Sequence, residues 1–407
     1  MKIKTEKIMY IAFIIYFFIN TCLNNQTLEI FSTFLLFILI SLFNNYSFKW
    51  NKFFYFELTF IIFAALHSFL FSKLPNESIK MVITLCVKFV TQIIIYNFFV
   101  TSKNLEDILK KYVYPVTFSM LVLIFIYIRF FKNSLFRLSF SNVDLSIFGL
   151  KFSGVGTTFG YIAGVAFCIA WILFILKKKK TYLLSSIIFF TVVILSGTRK
   201  IILPCAVISF LVPIMNTKNY AKVLHIFKYI FVILCIGVLM FKIPLFYNVL
   251  GVRIERSING LNSNYVVDNS EAIRNNLKNT AKIKFKEEPF LGNGLSTFKK
   301  LYGNGLYSHS NIWELLYSCG IIGYIIYYSK YVYIIVMLLK CINKTNKNED
   351  LIILKSFLIL NICMLILEYW QVTYYVSRLS ILNILTIALI SHQNSENKEI
   401  DTQWKYV

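Results

Sequence analysis

The sequence predicts an all-α, polytopic integral membrane protein with about 12 transmembrane helices and one long extracytoplasmic loop that contains an amphipathic helix. Three observations carry this. Of 407 residues, 57% are hydrophobic and 15% charged, with 40 Phe, 26 Tyr and a mean hydropathy of +0.66. A soluble domain keeps its apolar share under about a half and its charged share near a quarter, so a cytoplasmic enzyme with a polar surface is excluded. The apolar residues come in runs near the ~20 residues that a bilayer core requires. Only one long hydrophilic stretch, 247–310, interrupts them.

In chain order the runs cover 8–23, 28–43, 53–71, 80–100, 112–131, 154–176, 181–196, 201–215, 226–246, 315–339, 351–370 and 374–390. Those at 181 and 201 are short, and read either as one reentrant pair or as two tilted helices. The first follows Lys2 and Lys4 as a secretory signal would. No small-x-small cleavage site follows it in Asn20-Thr21-Cys22-Leu23, so it is expected to be retained. The division is then a membrane bundle over 1–246 with about nine helices, an outer loop over 247–310, membrane helices over 311–390 and a cytoplasmic tail over 391–407.

The balance of 42 Lys and Arg against 19 Asp and Glu, a formal +23, would point to nucleic acid in a soluble protein. In a polytopic chain it is the retention of cations in cytoplasmic loops, and no nucleic-acid partner is expected. With the amino terminus inside, the inner loops collect Lys2, Lys4, Lys7, Lys49, Lys52, Lys103, Lys110, Lys111, Lys177 to Lys180, Lys218, Lys222, Lys228, Lys340, Lys344 and Lys347. Both termini are then cytoplasmic. Eight scattered cysteines form no CxxC pair, which supports neither a zinc ribbon nor a disulfide framework.

Placed outside, 247–310 breaks the charge rule with nine basic residues (Arg253, Arg256, Arg274, Lys278, Lys282, Lys284, Lys286, Lys299, Lys300) and five acidic ones. Long translocated loops tolerate such an excess; an anionic ligand explains it. Asp268 and Glu271 read as a capping box, and Pro289 closes the segment. Between them Ile273, Leu277, Ala281 and Phe285 form an apolar stripe beside Arg274, Lys278, Lys282 and Lys286. Such a helix either lies on anionic headgroups or turns Arg274 into a cavity that holds phosphate. The glycines at 292, 294, 303 and 305 fit neither GxGxxG nor a P-loop, and read as tight turns and close backbone approach.

Two further places stand out. Among four histidines, His309 falls outside at a membrane entrance among hydroxyl and amide side chains. The turn Ser196-Gly197-Thr198-Arg199-Lys200 either lets Arg199 and Lys200 snorkel to the interface or brings them to the same cavity. Arg253 and Arg256, three apart, are a third cluster. Glu57, Lys88, Arg129, Lys330 and Glu368 fall within apolar runs, where they must pair or snorkel.

The run Glu288-Pro289-Phe290-Leu291-Gly292-Asn293-Gly294-Leu295, followed by Ser308-His309-Ser310-Asn311-Ile312-Trp313-Glu314-Leu315 and Gly320-Ile321-Ile322-Gly323, resembles the shared segment of O-antigen ligases and Wzy-type polysaccharide polymerases. The turn ending in Arg199 resembles that family's S-G-[ST]-R element. The likeness departs at Asn293, where the family often has a hydrophobic residue, and in the short outer loop.

The resemblance implies a GT-C-like, metal-independent membrane glycosyltransferase without cofactor, acting on undecaprenyl-pyrophosphate-linked oligosaccharide at the outer face of the bacterial cytoplasmic membrane. It implies the flippase and chain-length regulator as companion proteins. Arg199, Arg274 and His309 become the catalytic set, with Arg256 the rival of Arg274, and with Arg253, Lys200, Lys278, Asn311 and Glu314 around the substrate. Arginine suits a departing pyrophosphate. His309 suits an attacking hydroxyl, with Glu314 as reserve or orienting partner. The outer segments carry no DxD and no paired carboxylates of glycosidase type. Repeat-unit polymerisation is the first reading. The alternatives are ligase-type transfer to another acceptor and, from another class, a flippase or permease. No internal repeat of the kind transporters show is visible.

Overall fold

The computed structural model describes residues 2–23, 26–43, 48–130, 145–147, 150–152, 156–217 and 269–403, with single positions at 242, 247 and 255. Within them the chain is a helical bundle. Its helices are α1 (Lys2–Cys22), α2 (Gln26–Phe43), α3 (Phe53–Leu70), α4 (Pro75–Val100), α5 (Leu105–Phe130), α6 (Gly156–Lys177), α7 (Lys180–Ser196) and α8 (Ile202–Met215). After the loop come α9 (Asn269–Phe285), α10 (Thr297–Leu301), α11 (Asn311–Lys344), α12 (Asn348–Leu367) and α13 (Ile381–Gln403). Six of these helices, α3 to α6, α11 and α12, are long and apolar enough to cross a bilayer. The chain is therefore a membrane protein by its helices. Shorter apolar stretches lie in α1, α2 and α7. The run at 226–246 falls, but for position 242, outside the described residues.

The described residues are all-helical, as expected, apart from one short ribbon. Leu145–Ile147 and Leu150–Phe152 pair as an antiparallel ribbon with Leu145 opposite Phe152. Each strand reads apolar-polar-apolar, the period of a sheet rather than a helix. The runs at 181 and 201 form two helices, and both pack on α6.

Contacts between distant segments gather at two opposite ends of the bundle. At one, Lys73 N donates to Asn293 O (3.0 Å), Ser78 Oγ to Leu295 O (2.8 Å) and Asn311 N to Gln371 O (3.1 Å). At the other, Lys49 N donates to Asn97 Oδ1 (2.7 Å), His392 Nε2 meets Lys103 O (2.9 Å), and Lys177 bridges Glu106 (3.1 Å) and Glu349 (2.8 Å). The first end carries the 289–310 loop. The second carries lysines that the sequence assigns to inner loops.

Between the ends, the charges expected to pair do so. Lys330 Nζ lies 2.9 Å and Lys88 Nζ 3.9 Å from Glu57 Oε1. Lys88 also donates to Tyr374 O (2.7 Å), and Lys330 stands 3.6 Å over the Tyr327 ring. Arg129 instead lies exposed in the last turn of α5.

Helix α11 breaks at Gly320, which adopts φ +62° and ψ −169°. The backbone groups freed there find partners in the preceding loop. Asn293 N donates to Tyr317 O (2.9 Å), Gly294 N to Ser318 O (2.8 Å), Ile321 N to Pro289 O (2.9 Å) and Ile322 N to Phe290 O (3.3 Å). Irregular backbone at membrane depth persists only where protein satisfies it in this way. A Cβ on Gly320 would strike Phe290 O, and one on Gly292 (φ +78°) would strike the backbone at Gly320, so the two chains touch through glycine alone. Close approach is what the sequence reading expects of Gly292. Gly320→Ala adds left-handed strain to this collision and should destabilise the protein by about 2–4 kcal/mol. Thermal unfolding in detergent measures it; an unchanged midpoint would refute the packing argument.

Candidate functional site

The site grows from the amino terminus of α11. Ser310 is extended and caps the helix, its Oγ accepting from Trp313 N (3.4 Å). Glu314, one turn in and fully buried, accepts from Ser308 N through Oε2 (2.9 Å), while its Oε1 has no hydrogen-bond partner. Ser308 Oγ donates to Ser310 O (3.0 Å). Ser308 and Ser310 are thereby buried, and His309 between them is forced into a left-handed backbone (φ +59°) with its ring half exposed. Such a backbone is costly for a non-glycine residue and persists where surrounding bonds over-determine it. Glu314 and the two serines supply those bonds, which makes Glu314 the orienting partner of the turn.

Beside this turn stands a second, the 3-10 segment Glu368–Trp370 at the end of α12. Its Glu368 is buried and accepts four hydrogen bonds: Asn311 Nδ2 (3.0 Å), Tyr328 OH (2.7 Å), Tyr331 OH (2.8 Å) and Thr373 Oγ1 (2.7 Å). Asn311 Nδ2 also donates to Tyr328 OH (3.2 Å), and its Oδ1 accepts from Thr373 N and Tyr374 N (3.0 Å each). All four hydrogen-bonding positions of Asn311 are taken within the protein. It ties the two turns together and keeps nothing for a ligand.

Cations reach these turns from two parts of the sequence. The α7–α8 connection ends α7 with Gly197 in the left-handed cap (φ +62°), whose N–H meets Ile194 O (2.9 Å). The chain then passes through a 3-10 turn, Arg199–Ile201, into α8. Lys200 Nζ donates to Trp370 O (2.8 Å), and Arg199 beside it is half-buried. Helix α9 rests on protein: Leu277 and Ala281 pack with Phe298, Tyr317, Tyr302 and Trp313. Its lysines stand over aromatic rings, Lys278 over Tyr369 (4.8 Å), Lys282 over Trp313 (5.5 Å) and Lys284 over Tyr302 (5.1 Å). Arg274, one turn before Lys278, is exposed.

Burial holds the His309 imidazole below its ordinary range, and the nearby cations of Arg274 and then Lys200 push it further, to about 4. His309 is therefore neutral at pH 7, a free base among positive charges. The charges of Arg274 and Lys200 thus act on His309, with Lys278 and Arg199 on the same elements. Arg253 and Arg256 lie outside the described residues, as does Asp268 of the expected capping box. Among the described residues no group of three His, Cys, Asp or Glu is placed to hold a metal ion.

Two features of the site escape the sequence reading. One is Glu368 with its tyrosines, of which Tyr324, Tyr327, Tyr328 and Tyr331 recur at helical spacing. The other is Gly156-x-x-x-Gly160-x-x-x-Gly164 in α6, a small-residue stripe. A Cβ on Gly160 would meet Ser196 Oγ and Thr198 Oγ1, and one on Gly164 would meet Ile201. The stripe seats the Arg199 turn.

No protein-family model matches this sequence, and no curated protein matches it.

Proposed function

We propose that this chain is a metal-independent membrane glycosyltransferase of Wzy type, a polymerase of lipid-pyrophosphate-linked oligosaccharide repeat units. The observation that supports it is the convergence of Arg274 and Lys200 on a neutral His309. In this reading about twelve helices cross the bacterial cytoplasmic membrane, both termini are cytoplasmic, and the site faces outward beneath the 247–310 loop. The acceptor hydroxyl of one lipid-linked unit gives its proton to the His309 imidazole as its oxygen attacks the anomeric carbon of the other. The bond from that carbon to the pyrophosphate oxygen breaks, and the electron pair leaves with the pyrophosphate. Arg274, Lys200 and Arg199 stabilise the charge that develops there. His309 keeps the proton until water removes it.

The resting environment suits this order of events. Bound pyrophosphate offsets the two cations that depress the imidazole, and so moves it toward the range where a base works best near neutrality. The acid limb of kcat/KM, which reports the free protein, should fall near pH 4, and that of kcat should fall at higher pH. Arg274→Gln removes a depressing charge, so its kcat/KM limb moves upward toward 6.5, the ordinary histidine value. A pH–rate profile of the reconstituted protein measures both limbs; an unmoved limb in the variant would separate Arg274 from His309.

Gel analysis of surface glycan in a deletion strain tests the function itself. Single-repeat glycan identifies a lost polymerase, lipid-linked long chains a lost ligase, and unaltered glycan refutes both.

A further inference from the structure

An open groove of about 910 Å³ runs between the start of α3 and α11, from Tyr324 and Tyr328 near the middle of the bundle to Lys340 at the end remote from His309. Its walls are Phe56, Ile325, Val332 and Val336, and its mouth is Trp50, Lys52, Lys340 and Asn394. Trp50, Ile325, Val332 and Val336 are exposed. At the mouth it adjoins a second hollow of about 550 Å³ that shares Trp50 and Asn394 and adds Lys49 and His392. Among the described residues no carboxylate lines either hollow; Glu396 lies 3.9 Å from His392 Nδ1.

This is an amphipathic mould. From Ile325 to Lys340 is fifteen residues of helix, about 22 Å, against about 15 Å for the hydrocarbon of one leaflet. The apolar wall therefore accommodates an acyl chain with its head at Lys340. An indole at the mouth is the side chain that favours the headgroup level. Lysines without a facing carboxylate offer a zwitterionic headgroup no partner for its own cation, whereas a net-anionic phosphate meets them directly.

We propose that this groove is a site for one anionic phospholipid of the cytoplasmic leaflet, with its phosphate between Lys52 and Lys340, its headgroup toward Lys49 and Asn394, and an acyl chain along Val336, Val332 and Ile325. The site needs the protein to be in a membrane and does not depend on the reaction at His309.

Native mass spectrometry of the full-length protein tests it, with phosphatidylglycerol and phosphatidylcholine of identical chains as probes. Two lysines at a headgroup give about a 30-fold preference for phosphatidylglycerol. Lys52→Ala with Lys340→Ala should reduce that to under about 3-fold. Lys179→Ala with Lys180→Ala, at exposed positions outside the groove, should leave it intact. Val336→Trp fills the wall and should displace phosphatidylglycerol while the lysines remain. Equal retention of the two lipids by the unaltered protein, or a preference that survives the double Lys52 and Lys340 change, overturns the site.

Discussion

His309→Ala should leave the protein folded in the membrane and lower glycan transfer by about 10²–10⁴-fold, the usual contribution of a positioned general base. Stability is spared because the ring is half exposed, while the bonds that hold its turn come from Ser308, Ser310 and Glu314. In the proposed reaction transfer is lost because Arg274, Lys200 and Arg199 are cations that cannot accept a proton at neutral pH, and Glu314 is fully buried and already accepts from Ser308 N. Arg199→Ala should likewise abolish long chains, through the pyrophosphate rather than the acceptor. The two are distinguishable: His309→Ala retains binding of the lipid-linked donor, whereas Arg199→Ala weakens it. Chain length on gels, together with donor binding to the purified variants, reads both. Wild-type chain lengths in either variant would remove that residue from the mechanism.

What was legible in the sequence follows from the range of each interaction. The Gly197 turn and the amphipathic pattern of α9 are local, written in neighbouring residues, and the structure has them where the sequence reading expects them; at Gly292 the glycine announces a close approach but not its partner, Gly320. The choice between a lipid-laid helix and one turned to a cavity is not local. It depends on Tyr302, Trp313 and Tyr369, rings from three other segments. Asn311 shows the same limit more sharply. Beside His309 it reads as a ligand contact, yet its partners at 328, 368, 373 and 374 are distant in sequence and saturate it. Polar residues within apolar runs carry no mark of their partners, so the need of Glu368 for partners is legible but Asn311, Tyr328, Tyr331 and Thr373 are not. The α6 glycines were visible, since their spacing of four is a signal in itself.

The middle of the bundle gives the other large effect. Glu57→Leu should destabilise the protein by about 3–5 kcal/mol, because it leaves Lys330 and Lys88 buried with their carboxylate gone. The cost lies in the orphaned ammonium groups rather than in a lost attraction. Lys88 retains Tyr374 O as an acceptor, whereas among the described residues Lys330 keeps no hydrogen-bond acceptor and stands over the faces of Tyr327 and Tyr331, so Lys330 carries the larger share. Glu57→Leu combined with Lys330→Met should therefore recover most of the loss, since a buried pair replaced by apolar groups of similar volume is close to neutral. Thermal unfolding of the single and double variants in one detergent decides it. If the double variant is no more stable than Glu57→Leu alone, the cluster contributes by packing or by the remaining Gln92 contact to Glu57 (3.5 Å), and the electrostatic account fails. If it recovers, the three charges are held in the bundle by mutual compensation, and α3, α4 and α11 are tied at one depth by ion pairs that no span carries alone.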